Sequence, residues 1–333
     1  MNSAKRFDII RTILSVLIAL AISFVIIFMV SDQPLEAIKY LLIGPLTNKR
    51  SMGNVVESMI PLIFTGTGVC IMFSANQINL AGEGAFHIGG LIASCIAIKV
   101  TAGFVSPFAA LVCAGLAGAL FTVIPAIMKI TTTASEMVSS LMINYIALYF
   151  GNYMLNNVIG DPKASAASYK LSEASELPVL IQGTRVHLGF IIAIAVAVLG
   201  YLFLYRTKMG YELRLAGENE EFARYSGVNI VKVIVLSQIL GGFVAGLGGG
   251  VEMLSPIYSR FTWTSLLGYG WDAIIICTLA KKNPLYTPFA ALFLAYLRTG
   301  ASIMARRTDV TLGNCTDHPG YYHSSGCGRT IPE

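Results

Sequence analysis

Long apolar runs constrain the fold of this chain more than any other feature. A helix that crosses about 30 Å of hydrocarbon needs roughly 20 mostly apolar residues. Runs of about this length recur, each bounded by charged or turn residues, and only 12% of the residues are charged. That is too few for a water-facing globular surface. The sequence predicts an all-α, polytopic transmembrane helical bundle of about nine spans, near 12–30, 55–73, 85–99, 106–128, 137–155, 187–204, 232–250, 265–280 and 284–304.

Basic residues predict how the bundle is oriented. Lys5, Arg6 and Arg11 precede the first apolar run, which lacks a small-residue cleavage site, so we interpret it as a retained first span with a cytoplasmic N-terminus. The expected location is the plasma membrane. The loops that then face the cytoplasm carry Lys and Arg at a higher density than the opposite loops, and they are 1–11, 129–136, 205–232 and 281–283. The net charge of +5 forms no basic stripe, so no nucleic-acid partner is expected.

Small residues mark two of the spans. Gly242, Gly246 and Gly250 recur every four residues and share one helix face, and the residues 114–118 are echoed by 245–249. Small side chains let two helices approach closely in lipid. The stripe indicates tight helix packing, and the echo is also compatible with an internal duplication.

A polar, glycine-broken segment separates the second and third predicted spans. Residues 74–87 include Asn79, Glu83 and Gly84 and contain no Lys or Arg. Irregular backbone at membrane depth is tolerated only where protein or a water-filled cavity satisfies its amides and carbonyls. The segment is therefore either an element of a solute pathway or a short solvated turn.

Other polar residues within the apolar runs have structural alternatives. A second break, at 268–272, contains Asp272, which must face the bundle interior or cap a helix. Asn144 and Gln238 either hydrogen-bond between helices or contact a solute. Arg298 lies near the end of its span, and its side chain is expected to reach the membrane interface.

The predicted cytoplasmic segment 206–230 resembles a docking element. Gly217 precedes Glu218, Glu220 and Glu221, which favour a helix N-terminus, and a second glycine, Gly227, is placed to end that helix. Phe222 and Tyr225 would then project from one helix face beside Arg224. Such a face either docks in a groove of a partner protein or lies on lipid, and the near balance of acidic and basic residues favours the protein.

Motifs for nucleotide binding and catalysis are missing from the sequence. It contains no G-x-x-x-x-G-K-[ST] phosphate loop, no G-x-S-x-G turn and no H-E-x-x-H. We expect no enzyme activity and no cofactor bound by this chain. Any ATP must be used by a separate subunit.

Four motifs in order resemble one family. They are Asn79 to Gly84, Glu136 to Tyr145, the run from Gly210 to Asn229, and Gly270-Trp271-Asp272-Ala273-Ile274. Together they are similar to the permease subunits of ATP-binding-cassette importers for branched-chain amino acids, simple sugars and nucleosides. The likeness covers roughly residues 5 to 311. The sequences Glu83-Gly84 and Gly217-Glu218-Asn219 look closest to those of the nucleoside and simple-sugar permeases.

The resemblance implies an alternating-access pore made by two permease subunits, identical or different, together with cytoplasmic ATPases and an extracellular solute-binding lipoprotein. It also implies that the helix near 218–226 presses into the ATPase. The expected coupling residues are Arg214, Gly217, Glu218, Asn219, Phe222, Arg224, Tyr225 and Gly227. The expected solute-pathway residues are Asn79, Glu83, Gly84, Asn144, Trp271 and Asp272.

The C-terminal end departs from the family pattern. Similar members continue into a tenth span, whereas residues 312–333 form a polar tail without apolar periodicity. We interpret 1–311 as the permease domain and the tail as an aberrant, unstructured end produced by a frameshift or truncation. Cys315, His318, His323 and Cys327 leave a metal-binding appendage as the alternative.

A rival function comes from another class of transporter. A stand-alone secondary transporter or channel would need its own ion-coupling or selectivity residues. Few acidic residues lie within the predicted spans, which favours the importer permease.

Overall fold

A computed structural model describes residues 3–31, 33–100, 105–132, 134–164 and 166–308. The described residues contain helices and no β-strand beyond two isolated bridges. The tail 312–333, with its proposed metal-binding residues, lies outside this part of the chain. The helices are α1 Ser3–Val30, α2 Pro34–Ile43, α3 Lys49–Ser74, α4 Gly82–Lys99, α5 Val105–Thr132, α6 Glu136–Asn157, α7 Gly189–Arg206, α8 Lys208–Glu218, α9 Glu220–Tyr225, α10 Ile230–Met253, α11 Tyr269–Leu279 and α12 Thr287–Arg307.

Five helices in the described ranges are long and apolar enough to cross a membrane: α3, α5, α7, α10 and α12 with the turn before it. Each predicted span overlaps a helix, but a count of nine spans is not confirmed. The predicted eighth span, 265–280, is wrong in length. Gly268 has φ +81°, so the helix there starts only at Tyr269. The 11 residues of α11 rise about 16 Å, roughly half of the hydrocarbon thickness.

The glycine stripe lies at the centre of the bundle, where α10 crosses α5. A Cβ added to Gly246 would meet the backbone of Gly118 at 2.9 Å, and one added to Gly250 would meet the Cβ of Ala114 at 2.8 Å. The two echoed segments therefore pack against each other. Tight helix packing, the structural interpretation of the stripe, is confirmed, because no larger side chain fits between these backbones.

The bundle has two distinguishable ends. Helix α7 ends next to α8, α10 begins just after α9, and α3 ends at Ser74, whose hydroxyl lies 3.4 Å from the carbonyl oxygen of Lys282 before α12. These termini define the α8–α9 end. The first residues of α3, the loop before α7 and the last turn of α12 lie at the opposite end.

Candidate functional site

The α3–α4 linker, residues 75–81, is hydrogen-bonded to three other helices, α5, α6 and α10. The Asn79 side chain is fully buried, and its Nδ2 donates to Oε1 of Gln238 on α10 at 2.7 Å. Asn144 on α6 accepts the N–H of Gly84 at 2.9 Å and donates to the carbonyl oxygen of Leu80 at 3.0 Å. These bonds satisfy the irregular backbone within the protein, so the linker is not a solvated turn.

Glu83 joins α4 to the start of α11. Its Oε1 accepts the backbone N–H of Gly268 at 2.7 Å, and its Oε2 accepts that of Gly270. The carboxylate is only 3% exposed. A helix N-terminus presents unpaired N–H groups and a positive dipole end, which is why an acid is stable at this buried position.

The other two predicted pathway residues point elsewhere. Trp271 is 53% exposed on the surface of α11, away from the buried linker. Asp272 forms an ion pair of 2.8 Å with Arg298 on α12, and the guanidinium of Arg298 lies 5.4 Å from the ring centroid of Tyr269. Asp272 therefore holds Arg298 against α11, an ion pair that was not predicted from the sequence.

The predicted coupling segment contains two short helices. Helix α8 runs through Gly217 to Glu218, so the helix start predicted at Gly217 is wrong. Asn219 provides the start instead, since its Oδ1 accepts the N–H of Phe222 at 2.9 Å. Gly227 ends α9 as predicted, with φ +83° and its N–H donated to the carbonyl oxygen of Arg224 at 3.1 Å.

Helix α8 is fastened to the bundle by close contacts. Gly217 lies directly against the backbone of Ser74 at the end of α3, where a Cβ would collide with the Ser74 carbonyl oxygen. Arg214 donates to the carbonyl oxygen of Leu204 at 3.0 Å, and its guanidinium stacks 4.5 Å from the ring centroid of Tyr205. These two predicted coupling residues thus hold α8 on α3 and α7.

Helix α9 presents an exposed aromatic face. Phe222 is 57% exposed and Tyr225 is 90% exposed, whereas Ala223 between them is fully buried. Arg224 pairs with Glu220 at 3.0 Å on the same surface. Glu218 and Asn219 are exposed at the junction of the two helices. An aromatic surface of this kind, fixed on a rigid base, is typical of a protein-docking site.

A connected polar network near the α8–α9 end was not predicted from the sequence. Lys129 on α5 donates to Oε1 of Gln77 at 2.5 Å and to Glu136 on α6 at 3.0 Å. Gln238 then connects Glu136, at 2.7 Å, to Asn79, also at 2.7 Å. The network binds the α3–α4 linker to α5, α6 and α10. Asn79 and Gln238 were singled out in the sequence, but their connection through Glu136 and Lys129 was not.

Two buried acids were also missed. Glu57 on α3 is 7% exposed and Glu252 on α10 is 1% exposed. One oxygen of Glu252 lacks a hydrogen-bond partner in the described part of the chain. The available signal was an acid within an apolar run, for Glu57, or directly after one, for Glu252, since an acid at membrane depth is costly and faces the protein interior.

Outside the spanning helices, the groups with a shifted pKa include Asp161 and His187. The hydrogen bond from Arg260, at 2.8 Å, lowers the pKa of Asp161 in the long loop between α6 and α7. Burial lowers the pKa of His187, just before α7, to about 4. The ring of His187 accepts the N–H of Gly189 through Nδ1 at 3.1 Å, so it is neutral at pH 7.

Comparisons with known proteins place the chain in a family. Residues 51–312 match the family model described as branched-chain amino acid transport system / permease component. The glucose ABC transporter permease protein TsgB13 of Haloferax volcanii is 29% identical over 87% of this chain and 79% of its own length. The guanosine ABC transporter permease protein NupP of Bacillus subtilis is 30% identical over 75% of this chain and 73% of its own length.

A third relative is the nucleoside ABC transporter permease protein NupB of Lactococcus lactis, 25% identical over 87% of this chain and 84% of its own length. No solved structure matches the chain. These relatives are transport permease subunits, not enzymes, and such permeases in general work with ATPase and solute-binding partners. The matched region spans most of the helical bundle, and the chain belongs to the ABC transporter permease family defined by the branched-chain amino acid permease component.

Proposed function

We propose that this chain forms the solute pathway of an ATP-binding-cassette importer for a nucleoside, with a simple sugar as the second candidate. A separate ATPase uses the ATP, and this chain binds no cofactor. A second permease subunit completes the pore, and an extracellular lipoprotein delivers the solute. Relatives named for guanosine, nucleosides and glucose support this range of solutes.

One observation carries the proposal: the exposed aromatic face of α9 stands on a helix that is fastened directly to α3. A partner that pushes on Phe222 or Tyr225 transmits force through Gly217 to Ser74, where α3 ends. The α3–α4 linker follows within a few residues and is bound to α6 and α10 through Asn144 and Gln238, and Glu83 then binds the start of α4 to α11. In this proposal the α8–α9 end is cytoplasmic, and the N-terminus is on the same side.

The buried linker supplies the moving part of the pathway. Asn144 binds the backbone of Leu80 and Gly84, while Asn79 binds Gln238 and Glu83 binds the start of α11. A rearranged state can exchange these discrete hydrogen bonds for bonds to solute or water. Asp272 and Arg298 link the same region to α12. Trp271 is the exception, because its exposed ring is suited to contact with lipid or with the second permease subunit.

The test is co-purification with the ATPase subunit. The double variant Phe222→Ala/Tyr225→Ala should reduce recovery of the ATPase at least tenfold, because buried aromatic residues dominate docking energies. Tyr286→Ala is the matched control, since Tyr286 is 54% exposed before α12 at the same end and lies outside α8–α9. Equal recovery with the double variant would refute the docking role.

The solute is tested separately in vesicles. ATPase activity should rise when the solute-binding protein is loaded with guanosine and should be unchanged with the empty protein. Stimulation by glucose alone would assign the chain to sugar import. Uptake of solute without any ATPase subunit would instead support the stand-alone transporter.

A further inference from the structure

A basic cavity lies at the end of the bundle opposite α8–α9. It has a volume of about 550 Å³ and is lined by Arg50, Arg185, Arg306 and Arg307, together with polar side chains that include Asn54. Among the described residues that line it, none is acidic. Nothing in the permease mechanism proposed above uses this concentration of positive charge, which favours an anionic occupant.

The cavity lies at the level of the lipid headgroups. Helix α12 starts at the α8–α9 end and contains 21 residues, so it rises about 31 Å, one hydrocarbon thickness. Its last turn carries Arg306 and Arg307. These two arginines therefore leave the hydrocarbon and enter the interface where phosphate groups are found.

One wall of the cavity is itself an interfacial element. Helix α2 contributes Tyr40 to the lining. It buries Ala37 and Leu41 against Met304 of α12, whereas Leu35 is 75% exposed. Apolar side chains exposed on a short helix beside a spanning helix contact lipid. The cavity is thus bordered by acyl chains on its α2 side.

The lining residues fit a phosphate ester with a neighbouring hydroxyl. Guanidinium groups bind phosphate oxygens through paired N–H donors, better than a lysine point charge does. Thr47, Asn48 and Ser51 also line the cavity, and their polar side chains can hydrogen-bond a hydroxyl. A glycerophosphate group provides both functions.

We propose that this cavity binds the glycerophosphate headgroup of an anionic lipid, such as phosphatidylglycerol. A concave cavity of this volume suits a headgroup better than it suits a protein, since stable protein interfaces need about 1,200 Å² or more of matched surface. The bound lipid ties α2 to the last turn of α12 and to the start of α3, three elements that meet at the cavity. Clustered guanidinium groups recognise phosphate esters by such charge-assisted hydrogen bonds.

The test uses the full chain purified in neutral detergent and titrated by calorimetry with dihexanoyl phosphatidylglycerol or dihexanoyl phosphatidylcholine. We expect saturable binding of the first lipid only. The variant Arg50→Gln/Arg306→Gln/Arg307→Gln should weaken it on the order of 100-fold, since each interfacial cation contributes about fivefold. The control Lys39→Gln/Lys49→Gln removes exposed charges at the same end that do not line the cavity, and it should bind as tightly as the unmodified chain.

Two further titrations identify the source of the phosphate. Glycerol 3-phosphate and inorganic phosphate should compete weakly with the lipid; equal affinity for either would assign the site to a free anion. Equal binding of both lipids, or unchanged binding by the triple variant while it remains monodisperse, would overturn the proposal. Poly-L-glutamate that binds through the same arginines while phosphatidylglycerol does not would also overturn it and indicate a protein-docking site.

Discussion

Glu83 on α4 and Gly270 on α11 are joined by a hydrogen bond in which the carboxylate accepts the backbone N–H of the glycine. A Cβ on Gly270 would lie 2.7 Å from the backbone nitrogen of Glu83, so the two helices touch at this point. The same carboxylate also holds the left-handed Gly268. One acidic side chain therefore fixes where the half-length helix α11 begins and how it meets α4.

Replacing this carboxylate should destabilise the bundle. Glu83→Gln keeps one acceptor oxygen but presents an NH₂ group to the second backbone N–H, which loses its partner. We expect a loss of about 2 kcal/mol, the typical cost of an unsatisfied buried donor at a charged site, measured as a lower thermal midpoint in detergent. Glu173→Gln, an exposed change in the loop before α7, is the control. An unaltered midpoint for Glu83→Gln would contradict the role of this contact.

The positions of the helices were largely predictable, whereas their polar contacts were not. Apolar length predicts helices because lipid forces the backbone to satisfy its own hydrogen bonds. Small residues at every fourth position predicted tight packing of α10 for a similarly local reason, but not that α5 is the partner. The partners of Glu83, by contrast, lie 185 and 187 residues away, and no local pattern specifies such pairings.

In the coupling segment, too, a local feature was predictable and a long-range contact was not. Gly227 was predicted to end α9 because a positive φ at a helix end favours glycine. Gly217 was misinterpreted as a helix start because acids follow it, whereas Asn219 is the residue that caps α9. The reason for a glycine at 217 is its contact with Ser74 on a distant helix, which only the folded chain reveals.

A methyl group at Gly217 should separate α8 from α3. Gly217→Ala places the new carbon against the backbone carbonyl of Ser74, and backbone cannot rotate away as a flexible side chain can. We expect the complex to assemble still, but its solute-stimulated ATPase activity should drop at least tenfold. The control is Gly82→Ala, where the nearest atom to the added carbon is a Val69 methyl at 3.8 Å. Equal activities for the two variants would show that Gly217 does not transmit force from α8 to α3.

Removing the Lys129 ammonium should leave Glu136 as a buried, uncompensated carboxylate. Glu136 is 7% exposed, and Lys129 is its partner in the only ion pair shown for it among the described residues. We expect Lys129→Met to destabilise the chain by about 3 kcal/mol, the lower range for breaking one side of a buried pair. The double variant Lys129→Met/Glu136→Gln should recover most of this loss, because the neutral amide that replaces the carboxylate needs no counter-charge. Thermal unfolding of both variants tests whether the double variant is more stable than Lys129→Met alone.

Lowering the pH should destabilise the protein through His187. Burial lowers the folded-state pKa of this ring from 6.5 to about 4, so the unfolded chain binds the proton first. The contribution of His187 to stability is therefore complete above pH 6.5. Between about pH 6.5 and 4, the equilibrium constant for folding falls by a factor approaching ten for each pH unit. His187→Asn removes the titration and keeps an acceptor for the N–H of Gly189, since asparagine oxygens bond the backbone two residues on. Unfolding midpoints measured from pH 7.5 to 4.5 should decline more steeply for the unmodified chain than for His187→Asn, and parallel curves would show that the proton binds elsewhere.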